Sequence, residues 1–148
     1  GAPGMRGKIR DTLEMLRMHR VNHGVLIWAN YSYKGMLIKC KDYIAYGEID
    51  EKTLLRLLRV RGRVEGNNSL TEEHIKNLTD FKSFRELAKA SINGEIQYNE
   101  NHIYKITPIC RWHPPRKGFK GTVKKHFHEG GTLGDVGVYI NELIYKMI

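Results

Sequence analysis

Between Asn101 and His128 lie four histidines and seven Lys or Arg residues, with no Asp or Glu. Three chemistries are open to such a set: metal ligation, histidine-based cleavage of a phosphodiester, and neutralisation of a polyanion. Cys110, His113, His126 and His128 are the candidate metal ligands. Neither the C-x-x-H spacing of Cys110 and His113 nor the H-x-H spacing of His126 and His128 completes a zinc pattern, and no second cysteine pair exists. Neither metal nor cofactor is expected. For cleavage, His126 and His128 could serve as acid and base, but the segment offers no carboxylate. The chain also lacks a nucleophile elbow, a P-loop and a dinucleotide fingerprint. An RNA-processing nuclease is the enzymatic alternative, and the chain is expected not to be an enzyme.

Polyanion binding uses the whole set. Arg111, Arg116, Lys117, Lys120, Lys124 and Lys125 supply cations, and arginine can fork across two phosphate oxygens. His113, His126 and His128 can donate to phosphate. Glycines at 118, 121, 130 and 131 let backbone approach a ribose-phosphate chain closely. Phe119 and Phe127 could stack on unpaired bases, at on the order of 1–3 kcal/mol each. Trp112 sits at a strand end and suits core packing better. Pro114-Pro115 stiffens the entry, so less entropy is lost on docking. So much like charge repels itself unless a polyanion neutralises it. The plain alternative is a solvated basic loop. RNA suits this irregular segment, because it is read by shape and exposed bases. Nothing here resembles a DNA-reading helix or zinc finger.

Two weaker clusters lie upstream. Arg17, Arg20 and Asn22 fall where a first helix ends, and cations there serve equally as a helix C-cap or an RNA contact. Tyr33-Lys34-Gly35 opens a second helix and could present backbone N–H groups to a phosphate.

These groups must be positioned by a chain of 148 residues, 41% apolar, with net charge +9. That is enough for one small domain with a modest core. The charge alternates in blocks: +4 over residues 1–49, +3 over 50–63, −3 over 64–100, +7 over 101–128 and −2 over 129–148. A folded protein with selected basic faces has this distribution. Cys40 and Cys110 are the only cysteines and are expected to be reduced thiols in the cytoplasm. No signal peptide and no apolar run near 18 residues is evident.

Ile9, Leu13 and Leu16 predict a helix to about His19, and residues 25–28 a strand. Ser32 is the expected cap of a second helix through Tyr33, Met36, Leu37 and Cys40, and a short strand follows from Ile44. This helix-strand-helix-strand order asks for one further strand ahead of it, and an N-terminal piece is expected before Gly1. Asp50 caps a third helix, Thr71 a short fourth, and Ser83 with Glu86 has capping-box spacing for a fifth. Residues 64–100 read as scaffold. Ile106 to Trp112 is expected to be one strand, and Ile140, Leu143, Ile144 and Met147 mark a terminal helix.

Six strings occur here in order: RDTLEMLRMHRVNHG, SYKGMLIKCKDYIAYGEID, LLRVRGRVEGN, RWHPPRKG, KKHFHEGGTLG and INELIYKM. Together they resemble the archaeal form of the large-subunit ribosomal protein L-thirty family, whose eukaryotic relative is called L-seven. The resemblance spans essentially the whole chain. It implies an α+β fold, with a ferredoxin-like two-layer sandwich in β-α-β-α-β order whose first strand is missing here. It implies an RNA-binding core over residues 1–49 and an extension over 50–148 that carries helices and the basic loop (101–134). The implied role is a structural constituent of the large ribosomal subunit in the cytoplasm, without enzymatic activity. The implied partners are large-subunit rRNA, the 5S rRNA region and neighbouring ribosomal proteins, with no membrane and no small-molecule substrate. Carried over by motif, the RNA-facing positions are Arg17, Arg20, Asn22, Tyr33 and Lys34, with Arg116, Lys117, Lys124, Lys125 and His126. A free regulatory RNA-binding module is the remaining alternative. Two departures stand out: the family's opening R-I-R-G could survive only as Gly1, and Asp135-Val136-Gly137-Val138 replaces an aromatic-basic-Gly-Glu run. The second stretch is left out of the expected RNA contacts.

Overall fold

The computed structural model describes residues 4–96, 106–107 and 109–148. Asn101 to Lys105, the front of the basic stretch, lie outside the described residues.

The first half carries α1 (Gly7–Met15), β1 (His23–Val25), α2 (Tyr31–Cys40) and β2 (Ala45–Tyr46). Helix α1 ends sooner than the pattern predicts, because Arg17 takes a left-handed φ of 59° and stops it. Strand β1 starts earlier than expected and excludes Trp28, which is exposed. Asn30, not Ser32, caps α2: its side chain accepts from the Tyr33 N–H at 3.0 Å. Helices α1 and α2 pack together, with Thr12 and Cys40 buried between solvent-facing charges.

The second half continues with α3 (Glu51–Arg61), β3 (Arg63–Val64), α4 (Glu72–Leu78), α5 (Phe84–Ile92), β4 (Ile106–Thr107), β5 (Ile109–Arg111), β6 (Thr122–His126), β7 (Gly131–Asp135) and α6 (Tyr139–Met147). The caps follow the sequence. Asp50 accepts from Thr53 N–H at 2.6 Å, and Thr71 forms a reciprocal box with His74. At α5 the box is shifted: Ser83 accepts from Glu86 N–H, but the Glu86 carboxylate reaches Lys82 N–H at 2.8 Å. The strand expected from Ile106 to Trp112 is two short ones serving different ladders, β4 on β3 and β5 on β1, both antiparallel.

Helix α3 is the shared wall of the core. Leu54 and Leu58 face a cluster with Leu70, Ile75, Phe84 and Leu87. Leu57 faces a second cluster with Cys110, Val136, Ile140, Leu143 and Ile144. The i, i+3, i+4 spacing puts all three leucines on one broad stripe. Full burial of each contributes roughly 1.5–3 kcal/mol.

The architecture is α+β, with helices packed on small sheets as in a ferredoxin-like core. Strand β7 lies centrally between β2 and β6, parallel to both. Strand β1 does not pair with β2. Between them a groove of about 570 Å³ is lined by Leu16, Val25, Leu37, Ala45 and Ile140 among others.

Candidate nucleic-acid interface

The basic segment was expected to be an irregular loop. It is instead an arm built round a strand and riveted at its base. Trp112 N–H donates to Asn22 C=O at 2.9 Å, His113 N–H to Met147 C=O at 3.3 Å, and Arg116 N–H to Lys146 C=O at 2.9 Å. The His113 imidazole adds a side-chain tie: Nε2 lies 2.6 Å from the Ile148 carbonyl oxygen and Nδ1 2.8 Å from that of Pro114. Gly24 makes the base possible, because a Cβ there would fall 2.1 Å from the Trp112 ring. Trp112 is half-buried against the second core cluster, as its strand-end position suggested.

Next comes a tight turn in which Gly118 N–H donates to Pro115 C=O at 3.0 Å. Lys117 holds its third position at φ 64°, and its side chain is exposed. The amine of Lys120 lies 5.1 Å from the Tyr139 ring centroid and 5.7 Å from that of Phe127. Those rings stack on each other at 5.3 Å, so Phe127 is occupied by packing. Phe119 is exposed.

Strand β6 pairs with β7 irregularly: Thr122 faces Gly131, and His126 faces Leu133. Four steps along β6 therefore match two along β7, and the surplus bulges. Val123, Lys124 and Lys125 ride on that bulge with exposed side chains. Gly131 accommodates it, since a Cβ there would fall 1.9 Å from the Lys125 carbonyl oxygen. Arg116, Lys117, Lys124, Lys125 and His128 all point to solvent from this one arm.

Residues 1–44 match the family described as ribosomal protein L30p/L7e. Over 149 aligned residues, the large ribosomal subunit protein uL30 of the archaeon Methanococcus maripaludis (strain C5) is 50% identical, covering 100% of this chain and 94% of the relative. That of Methanoculleus marisnigri is 47% identical over 95% of this chain and 90% of its own length. That of Methanocorpusculum labreanum is 44% identical over 99% and 94%. The chain belongs to the uL30 family. Members are structural proteins, not enzymes, and the nuclease alternative falls with that.

The histidine geometry of this uL30 member agrees with a structural role. His126 Nε2 contacts Asp42 Oδ1 at 2.9 Å, pinning the end of β6 to the turn after α2. The stretch from Asn101 to His128 has no carboxylate of its own, but the fold brings it Asp42 and also Glu142. Glu142 pairs with Lys146 at 2.8 Å, and its carboxyl is held below the usual range first by that hydrogen bond, with the Lys120 charge adding to it. Cys110 is buried in β5, where burial pushes its thiol up to about 12. Cys40 and Cys110 are both free thiols.

The other expected positions are scattered. Arg111 does not join the arm: its guanidinium donates to Asn67 Oδ1 at 3.3 Å, and its residue pairs with His23 across the β1–β5 ladder. Arg20 is exposed and its charge acts on His23, and Asn22 takes φ 59° in the turn that receives Trp112. Lys34 is exposed on α2, where Tyr33 is half-buried. The departing stretch after Gly134 is structural: Asp135 accepts from Gly137 N–H at 2.9 Å, and Val136 N–H donates to Tyr46 C=O. Sequence reading missed strand β7 and the anchoring role of Asp42. The glycine-rich GGTLG string was the available signal for close backbone packing. Among the described residues, no helix is long and apolar enough to cross a membrane.

Proposed function

We propose that this chain is a structural constituent of the large ribosomal subunit of the cytoplasmic ribosome, and that it binds rRNA through the basic arm. One observation carries the reading: Lys124 and Lys125 are held out by a bulged strand whose backbone is locked on Gly131. A preorganised cationic edge loses little entropy on docking, and each neutralised phosphate releases counterions. Arg116, Lys117 and His128 extend the same edge. Lys120, His113 and His126 act from behind it, holding aromatic rings, the C-terminal backbone and Asp42. Arg17, Arg20, Asn22, Tyr33 and Lys34 form the core's contribution, so residues 1–49 and the 50–148 extension both meet RNA. The RNA is large-subunit rRNA together with the 5S rRNA region, and neighbouring ribosomal proteins complete the surroundings.

Lysate sedimentation with a Lys124→Glu/Lys125→Glu chain tests this. The unsubstituted chain should travel with the large subunit, and the double variant should shift to the ribosome-free fraction while staying folded. Normal incorporation of the variant would show the arm to be dispensable.

A further inference from the structure

Arg111 leads to a second basic surface that the arm does not explain. A cleft of about 220 Å³ is lined by His19, His23, Arg61, Arg63, Asn67 and Arg111, with Thr107 and Ile109 as its floor. Three guanidiniums and two imidazoles thus line it from the turn after α1, from β1, from the α3–β3 junction and from β5. No Asp or Glu lines the cleft among the described residues.

Two observations mark it as a site and not a crowded surface. First, His23 Nδ1 and Arg61 Nε are both buried and both without a hydrogen-bond partner. Buried polar atoms are nearly always satisfied, so two orphans on residues that line one cleft call for a partner that the described residues do not supply. Second, the other two guanidiniums that line the cleft are held in place. The Arg63 guanidinium donates to Ser69 Oγ, and that of Arg111 to Asn67 Oδ1. The 63–69 hairpin, closed by a bridge between Arg63 and Ser69, holds both. The electrostatics agree: His23 has its pKa lowered by burial first, then by Arg111, Arg20 and His19. Cations that depress one another's charge are relieved by an anion between them.

We propose that this cleft seats one phosphate of the bound RNA backbone, as a contact point separate from the arm. The anion accepts from the Arg61 guanidinium and from His23, with Arg63, Arg111 and His19 completing the charge. The inference rests on the RNA-binding reading above and deepens it. Strand β5 runs from the cleft at Arg111 straight into the arm at Trp112, so a polyanion on the arm holds its phosphates near the cleft mouth. A free anion has no such tether.

The test has two arms, both on the full chain. In the first, the histidine ring protons are titrated by NMR in inorganic phosphate and in chloride of equal ionic strength. Phosphate should raise the His23 midpoint where chloride does not, and Arg61→Gln should remove the difference. In the second, affinity for large-subunit rRNA stripped of protein is measured against salt. Arg61→Gln should reduce the log–log slope by about 0.7–0.9, the loss of one phosphate contact, so that the fall between 50 and 200 mM salt shrinks roughly threefold. Arg111→Gln, at the cleft's other wall, should do the same, and the double variant no more than either, because both hold one phosphate. A phosphate response at His23 with unchanged rRNA slopes in both variants would assign the cleft to a free anion and overturn the proposal. No response in either arm overturns it as well. Slopes altered by Arg61→Gln but insensitive to Lys124 and Lys125 reversal would instead sink the arm and keep the cleft.

Discussion

Replacing Lys117 by glycine separates charge from fold more cleanly than any other change in the arm. Lys117 sits at the third position of the Pro115–Gly118 turn with φ 64°, a place where glycine is preferred. An L side chain held left-handed costs roughly 1 kcal/mol or somewhat more. Glycine removes that strain but adds about 0.5–1 kcal/mol of chain entropy to the unfolded state. The two nearly cancel, so Lys117→Gly should leave the unfolding free energy within about 1 kcal/mol of the parent. Its cation is nevertheless gone. If Lys117 neutralises one phosphate, the slope of log affinity against log salt falls by about 0.7–0.9. Urea denaturation followed by rRNA binding at several salt concentrations reads both quantities. Destabilisation well beyond 1 kcal/mol would refute the strained backbone, and an unaltered slope would refute the phosphate contact.

Three further outcomes follow from the fold. Leu57, fully buried on α3, should cost about 2–5 kcal/mol as Leu57→Ala, read by chemical denaturation. Asn141→Leu should cost roughly 2 kcal/mol, because Asn141 accepts from Asp50 N–H and donates to Glu48 C=O, and both would lose their partner. Stability should fall as pH drops through about 6.5: His23 has its folded-state pKa lowered, so the unfolded chain takes up the proton first, and above 6.5 there is no effect. His23→Phe should flatten that dependence in thermal melts across pH 5–8.

Where local chemistry decides, the chain is readable. Asp50 and Thr71 cap their helices because a side-chain oxygen needs only the N–H three residues ahead. The stripe of Ile140, Leu143, Ile144 and Met147 buries as its spacing implies. Asn30 displaced Ser32 because either could cap, and the start of the helix chose between them.

What the sequence by itself determined is therefore the helices, the placement of charge in blocks and the family. Only the tertiary structure decided that the basic segment is a bulged strand, since its partner β7 and the close approach over Gly131 depend on non-local pairing. It alone paired His126 with Asp42 across 84 residues of chain and Arg111 with a cleft drawn from four separate segments. Charge along a sequence says how much anion a protein can hold. Which cations converge on one phosphate depends on how sheets and helices bring distant residues together.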